Sequence, residues 1–222
     1  MACPYCYSRK IYDRFKWDKT IRFTPEELDK WDKAKPGSKI FVGSMIELFG
    51  DWVDDSWLRE IFDHTKRHPD LTFQFLTKQP QNLTRFSPLP DNCWVGVTAT
   101  DYKMFSFALE FLQGIKAQVK YISIEPMLDR LNVPLLNEVL INCGINLIII
   151  GAQTNPFRAP KIEWVKEIVE AADKAGIPVF LKNNLLELVN YCSPETHFAF
   201  NKDSCYRQEM PKDIDMKIQG ML

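Results

Sequence analysis

The chain has 222 residues and a mass of 25.9 kDa, above the roughly 100 to 200 residues of a common single domain, so one large α/β domain is the simplest expectation. With 45% hydrophobic and 26% charged residues it can bury a sizeable core, which excludes disordered and collagen-like classes. The balance of 28 Lys plus Arg against 29 Asp plus Glu, net charge -1, excludes a chain-wide attraction to nucleic acid and leaves only a local basic face open.

The first feature along the chain is Cys3-Pro4-Tyr5-Cys6-Tyr7. Six cysteines are too dilute for a disulfide scaffold, and no apolar targeting segment opens the sequence, so a reducing cytoplasm is the expected compartment. No apolar run approaches the roughly 18 residues of a membrane span; Ile145 to Gly151 is strand-sized. A Cys-x-x-Cys pair suits a tight loop whose thiolates face one metal or each other, so zinc, iron–sulfur and thiol redox chemistry are all open. Zinc needs two more ligands, and His64, His68 and His197 do not read as a spaced partner pair. Cys93, Cys143, Cys192 and Cys205 read as packed apolar thiols.

Residues 8–22 interleave Arg9, Lys10, Arg14, Lys16, Lys19 and Arg22 with Tyr12, Phe15 and Trp17. That pattern suits a nucleic-acid-binding segment; the plainer reading is an amphipathic helix with a solvated charged face. Thr24-Pro25-Glu26-Glu27 predicts a helix start with a capping box, Thr24 accepting from first-turn amides and Glu27 reaching back.

From Pro36 onward, short apolar runs alternate with amphipathic stretches, the pattern of repeated β-α units around a parallel sheet. The predicted strands are Lys39–Gly43, Leu71–Leu76, Cys93–Val97, Lys120–Ile124, Asn146–Ile150 and Ile177–Leu181. One helix is predicted over Asp55–Arg67, burying Trp57, Leu58, Ile61 and Phe62 and stopping at His68-Pro69. Another is predicted over Lys161–Lys174, with Trp164, Val165, Ile168 and Ala172 inward and a stop at Gly176. The fold expected over 1–190 is therefore a partial, open (β/α) barrel of parallel strands with outer helices. Residues 191–222 lack a clear period and are expected to pack on it as a C-terminal extension.

Ligands of such folds bind at the carboxyl ends of the strands, and those positions are polar here: Ser44-Met45-Ile46-Glu47, Thr77-Lys78-Gln79, Thr98 and Thr100, Glu125-Pro126, Gly151-Ala152-Gln153-Thr154 and Lys182-Asn183-Asn184. A ring of Glu47, Lys78, Glu125, Gln153 and Lys182 suits a zwitterionic, hydroxyl-bearing ligand. The bland alternative is that each merely marks where a strand meets solvent.

Cys-Pro-Tyr-Cys-Tyr also resembles the second half of the Cys-x3-Cys-x2-Cys loop of the radical S-adenosylmethionine superfamily, with Tyr5 as the aromatic residue before the last cysteine. Phe41-Val-Gly-Ser-Met-Ile-Glu-Leu-Phe49, Phe73-Gln-Phe-Leu-Thr-Lys-Gln-Pro80, Cys93-Trp-Val-Gly-Val97, Ser123-Ile-Glu-Pro126, Phe180-Leu-Lys182 and Arg207-Gln-Glu-Met-Pro211 resemble, in order, its phage-associated, largely uncharacterised branch. The resemblance implies a 4Fe-4S cluster, with S-adenosylmethionine on its open iron, cleaved reductively to a 5'-deoxyadenosyl radical that acts on an unknown substrate. It implies Cys3 and Cys6 as iron ligands, and Tyr5, Ser44, Met45, Glu47, Lys78 and Gln153 on the cofactor side. Glu125 and Lys182 would be the catalytic pair, and a flavodoxin or ferredoxin the electron donor. The first loop cysteine and first barrel strand of that family would fall upstream of Met1, so the chain reads either as an N-terminally truncated member or as a degenerate one that cannot hold a three-cysteine cluster. A reading from a different class is a non-redox (β/α) barrel enzyme with Glu47 and Glu125 as its acid/base pair.

Overall fold

The computed structural model describes residues 6–189 and 193–211. In chain order its elements are α1 (Tyr7–Phe15), β1 (Lys39–Phe41), α2 (Asp55–Thr65), β2 (Thr72–Thr77), β3 (Cys93–Thr98), α3 (Tyr102–Leu112), β4 (Val119–Ile124), α4 (Leu136–Asn142) and β5 (Leu147–Ile150). There follow a short hairpin of β6 (Gln153–Thr154) and β7 (Phe157–Arg158), then α5 (Ile162–Ala175) and β8 (Val179–Leu181). Every predicted strand is present within one or two residues. The six form a parallel sheet in the order β1-β2-β3-β4-β5-β8. Because that order follows the chain without reversal, there is no switch point of the doubly wound kind, and the sheet curls into a half-barrel with helices outside.

Side chains alternate between two environments, as the strand period requires. Phe73, Phe75, Cys93, Val95, Val97, Ile122, Ile124, Ile148, Ile150, Val179 and Leu181 enter the main core under the helices. Trp94, Val119, Tyr121 and Leu147 form a second cluster on the opposite, concave face, with Leu76, Ile149 and Phe180 against it. Tyr121 lies so close over β3 that a Cβ on Gly96 would sit 2.2 Å from its ring, and its hydroxyl donates to the Phe75 carbonyl at 2.8 Å. On the helix side, Lys120 donates to the carbonyls of Leu112 and Cys143 at 2.9 and 2.7 Å, closing the carboxyl ends of α3 and α4. Its burial lowers its pKa.

Two of the helices have side-chain caps. Asp54 caps α2 by accepting from the Ser56 amide at 2.8 Å, and Asp101 caps α3 by accepting from the Met104 amide at 2.9 Å. Gly176 ends α5 at φ +69°, a conformation glycine adopts without strain. The capping box expected at Thr24 does not form: Pro25–Lys33 is a 3-10 helix, Thr24 makes no side-chain cap bond, and Glu27 pairs with Lys30 instead. In this 3-10 segment, buried Leu28 and half-buried Trp31 fall on one side.

The tail expectation becomes specific within 193–211. The 3-10 turn Pro194–Ala199 packs on α5, and the following segment runs antiparallel along the free edge of β8, with Phe180 opposite Gln208. Leu181 N–H donates to the Arg207 carbonyl at 2.8 Å and Glu209 N–H to the Val179 carbonyl at 3.0 Å, so this edge is not left open. Arg207, 7% exposed, forks onto Asp173 at 2.7 and 3.0 Å and onto Glu209 at 2.9 and 3.1 Å. Burial opposes its charge, but the carboxylate hydrogen bonds outweigh it and raise its pKa. The Arg207-Gln-Glu-Met-Pro211 motif thus fastens the tail.

Candidate functional site at the strand ends

The carboxyl ends of β1 to β5 and β8 converge on one mouth, and the concave face grows more polar toward it. On β3 and β4 the inward series runs from Trp94 and Val119 through Gly96 and Tyr121 to Thr98 and Ser123, which are register partners and 2% and 3% exposed. The Thr98 Oγ1 atom is buried and has no hydrogen-bond partner. An unpaired buried hydroxyl normally costs stability, and this one lies beneath the mouth.

Glu125 follows β4 and Lys182 follows β8, and the structure brings them together: Lys182 Nζ lies 3.3 Å from Glu125 Oε2, with side chains 43% and 29% exposed. The Glu125 carboxylate rests on bare backbone, since a Cβ on Gly151 would approach it to 2.9 Å. Behind the pair, the Asn184 amide clamps Ala152, accepting from its N–H at 3.0 Å and donating to its carbonyl at 2.8 Å. Tyr206 donates to the Lys182 carbonyl at 2.9 Å, so the tail segment braces the strand end that carries the lysine.

Glu47 is committed to the protein itself. Its two oxygens accept from the Thr77 hydroxyl at 2.6 Å and the Lys78 amide at 2.9 Å, tying the turn after β1 to the end of β2. That turn leaves Ser44 exposed and Met45 half-buried. Gln153, expected to face a ligand, donates through Nε2 to the Pro156 carbonyl at 2.8 Å and closes the β6–β7 hairpin. Lys10 of α1 donates to the Asn155 carbonyl of the same hairpin at 3.0 Å. The helix that begins after Cys6 is therefore anchored at the mouth, a contact across 145 positions that no local pattern foretells.

Among the cysteines, Cys6 precedes α1 and is partly exposed, while Cys93 and Cys143 are buried as expected. Burial pushes the Cys93 thiol up to about 12. Cys205 is exposed, against the expectation of a packed thiol, because it follows a surface turn held by Asn201. Cys3, Tyr5 and Cys192 lie outside the described residues. The histidine expectation also needs correcting: His64 and His68 come together with Asp32, their ligand atoms all within 4.8 Å of one another.

The basic aromatic stretch forms α1 only as far as Phe15. Lys19 pairs with Asp13 and Arg22 with Asp18 at 3.2 Å, so part of its positive charge is neutralised internally. Among the described residues, no helix is long and apolar enough to cross a membrane.

A half-barrel of consecutive parallel strands with a charged, open strand-end mouth defines this chain as an α/β protein of the (β/α) barrel kind. It belongs to the family described as protein of unknown function (DUF5131), whose model matches residues 1–187. A comparison with curated proteins finds no match.

Proposed function

We propose that the mouth receives S-adenosylmethionine and that the chain is a half-barrel of the radical S-adenosylmethionine type. The observation that carries this reading is the Glu125–Lys182 pair. Both side chains are partly exposed, and a ligand with an adjacent ammonium and carboxylate can exchange partners with them, ammonium to Glu125 and carboxylate to Lys182, at little net electrostatic cost. Beneath them the unpartnered Thr98 hydroxyl suits a ribose or amino-acid oxygen. The Lys10–Asn155 bond adds support by holding the helix after Cys6 beside this ligand. Glu47 acts indirectly, keeping the turn with Ser44 and Met45 against β2.

The iron–sulfur part of the resemblance falls on the loop thiols Cys3 and Cys6, of which Cys3 lies outside the described residues. Among the described residues no group of three ligating side chains includes Cys6, and Cys93 and Cys143 are buried in the main core under the helices. What the mouth residues do is bind and orient: Lys182 and Glu125 fix the amino-acid end, and the apolar floor of Trp94, Tyr121 and Leu147 lies below.

Calorimetric titration with S-adenosylmethionine and S-adenosylhomocysteine tests the reading. Saturable binding is expected, weakened about tenfold or more, roughly 1.4 kcal/mol, by Glu125→Gln and by Lys182→Met. Absence of binding to the folded parent, or an affinity in both variants equal to the parent's, overturns it.

A second reading rests on the exposed Phe15 and Trp17 rings, stacked at 5.4 Å with Arg14 over Phe15, an arrangement suited to single-stranded nucleic acid. Salt-dependent anisotropy of a labelled oligonucleotide supports it; no binding at low salt discards it.

A further inference from the structure

At the amino ends of the strands, opposite the mouth, we infer a binding site for one divalent transition-metal ion of the zinc type, formed by Asp32, His64 and His68. His64 lies in the last turn of α2; His68 follows, its N–H donating to the Thr65 carbonyl at 3.1 Å. Asn92 pins this turn by donating to the carbonyls of Thr65 and His68, each at 2.9 Å. Asp32 arrives from the 3-10 segment Pro25–Lys33, held against the core by Trp31, whose ring meets those of His64 at 5.4 Å and Phe73 at 4.5 Å.

Three observations point to an ion rather than a plain ion pair. The three ligand atoms lie within 4.8 Å of one another. His64 is 9% exposed, and the Nε2 atoms of both His64 and His68 are buried without a hydrogen-bond partner. His68 Nε2 stands 3.2 Å from Asp32 Oδ1, near the ~3.3 Å between donors that bonds of roughly 2.0–2.1 Å to a tetrahedral ion require. Two neutral imidazoles and a carboxylate match the ligand preference of zinc, with water in the fourth position. Bound there, the ion would join the 3-10 segment to the turn that enters β2, a stabilising link at the end of a barrel where stability rather than catalysis is the usual role.

The full chain, stripped with chelator, is titrated with zinc chloride and, separately, with cobalt(II). Expected are one zinc per chain, a Tm that rises with zinc concentration, and visible cobalt bands of tetrahedral type with no thiolate charge-transfer band. His68→Gln should weaken zinc by more than the roughly 10–100-fold lost when an outer-shell partner is removed, and Asp32→Asn, at a side chain 63% exposed, should act likewise while leaving the chelated protein as stable as the parent. Zinc content unchanged by both variants, a thiolate band in the cobalt spectrum, or no zinc uptake by the parent overturns the site.

Discussion

Replacing Glu47 with Ala removes the acceptor for two donors at once. Thr77, 1% exposed, loses the partner of its hydroxyl, and Lys78 loses the partner of its N–H. A buried donor left unpaired costs about 1–3 kcal/mol; the half-buried Lys78 amide can recruit water and falls below that range. The sum is about 2–3 kcal/mol, which for a chain of this size lowers Tm by roughly 5 to 10 °C. Glu47→Gln is different. Its single Oε1 can accept from the Lys78 amide while its NH2 donates to Thr77 Oγ1, which already accepts from the Gln79 amide at 2.8 Å and has a second lone pair, but the buried Thr77 O–H is then left without an acceptor. That variant should lose about 1–2 kcal/mol, less than Glu47→Ala. Urea unfolding of the parent, both Glu47 variants, Thr77→Val and the Glu47→Ala/Thr77→Val double variant measures the order and the coupling, expected at about 1 to 2 kcal/mol. A Glu47→Ala stability within about 0.5 kcal/mol of the parent, or additive single and double variants, refutes the reasoning.

Two further predictions concern the sheet. Gly96→Ala pushes a Cβ to 2.2 Å from the Tyr121 ring and should cost about 1–3 kcal/mol through overpacking; the same change made in a Tyr121→Ala background should cost almost nothing, and an equal cost in both backgrounds contradicts the contact. Cys93 gives an alkaline signature: its folded pKa of about 12 stands above the reference 9.0, so the unfolded chain releases its proton first and stability, complete below about pH 9, falls as pH rises toward 12. Between pH 8 and 10.5 the loss is about 2 kcal/mol, with Tyr206, raised to about 12 by burial, adding a loss of the same sign at the upper end. Cys93→Ala should flatten the slope of unfolding free energy against pH, and unchanged slopes refute the assignment.

The strands were legible because parallel strands buried on both faces read as unbroken apolar runs. β8 is shorter than the run Ile177–Leu181 because Pro178 has no N–H to give a ladder, although its carbonyl still accepts from Ile148 at 3.2 Å. Thr-Pro-Glu-Glu signals a helix start without distinguishing an α-helix from the 3-10 segment Pro25–Lys33 that forms. His64 and His68, four apart, are neighbours on any helical turn; Asp32 joins them only through tertiary packing, which no spacing in the sequence displays.

The mouth shows the same division at the level of single side chains. Parallel α/β architecture places every polar residue after an apolar run at the same end of the sheet, so the candidates could be found by position alone. Position does not say whether such a residue serves a ligand or a neighbour. Glu47 and Gln153 meet Thr77, Lys78 and Pro156 and have spent hydrogen-bonding capacity on the fold, whereas Glu125 and Lys182 meet only as a partly exposed pair and Thr98 Oγ1 meets nothing. Since a buried polar group without a partner is costly, the residues still in deficit are the ones for which a bound ligand gains the most. The proposed ligand reading therefore rests on Glu125, Lys182 and Thr98, whereas Glu47 and Gln153 are tied into the fold around them.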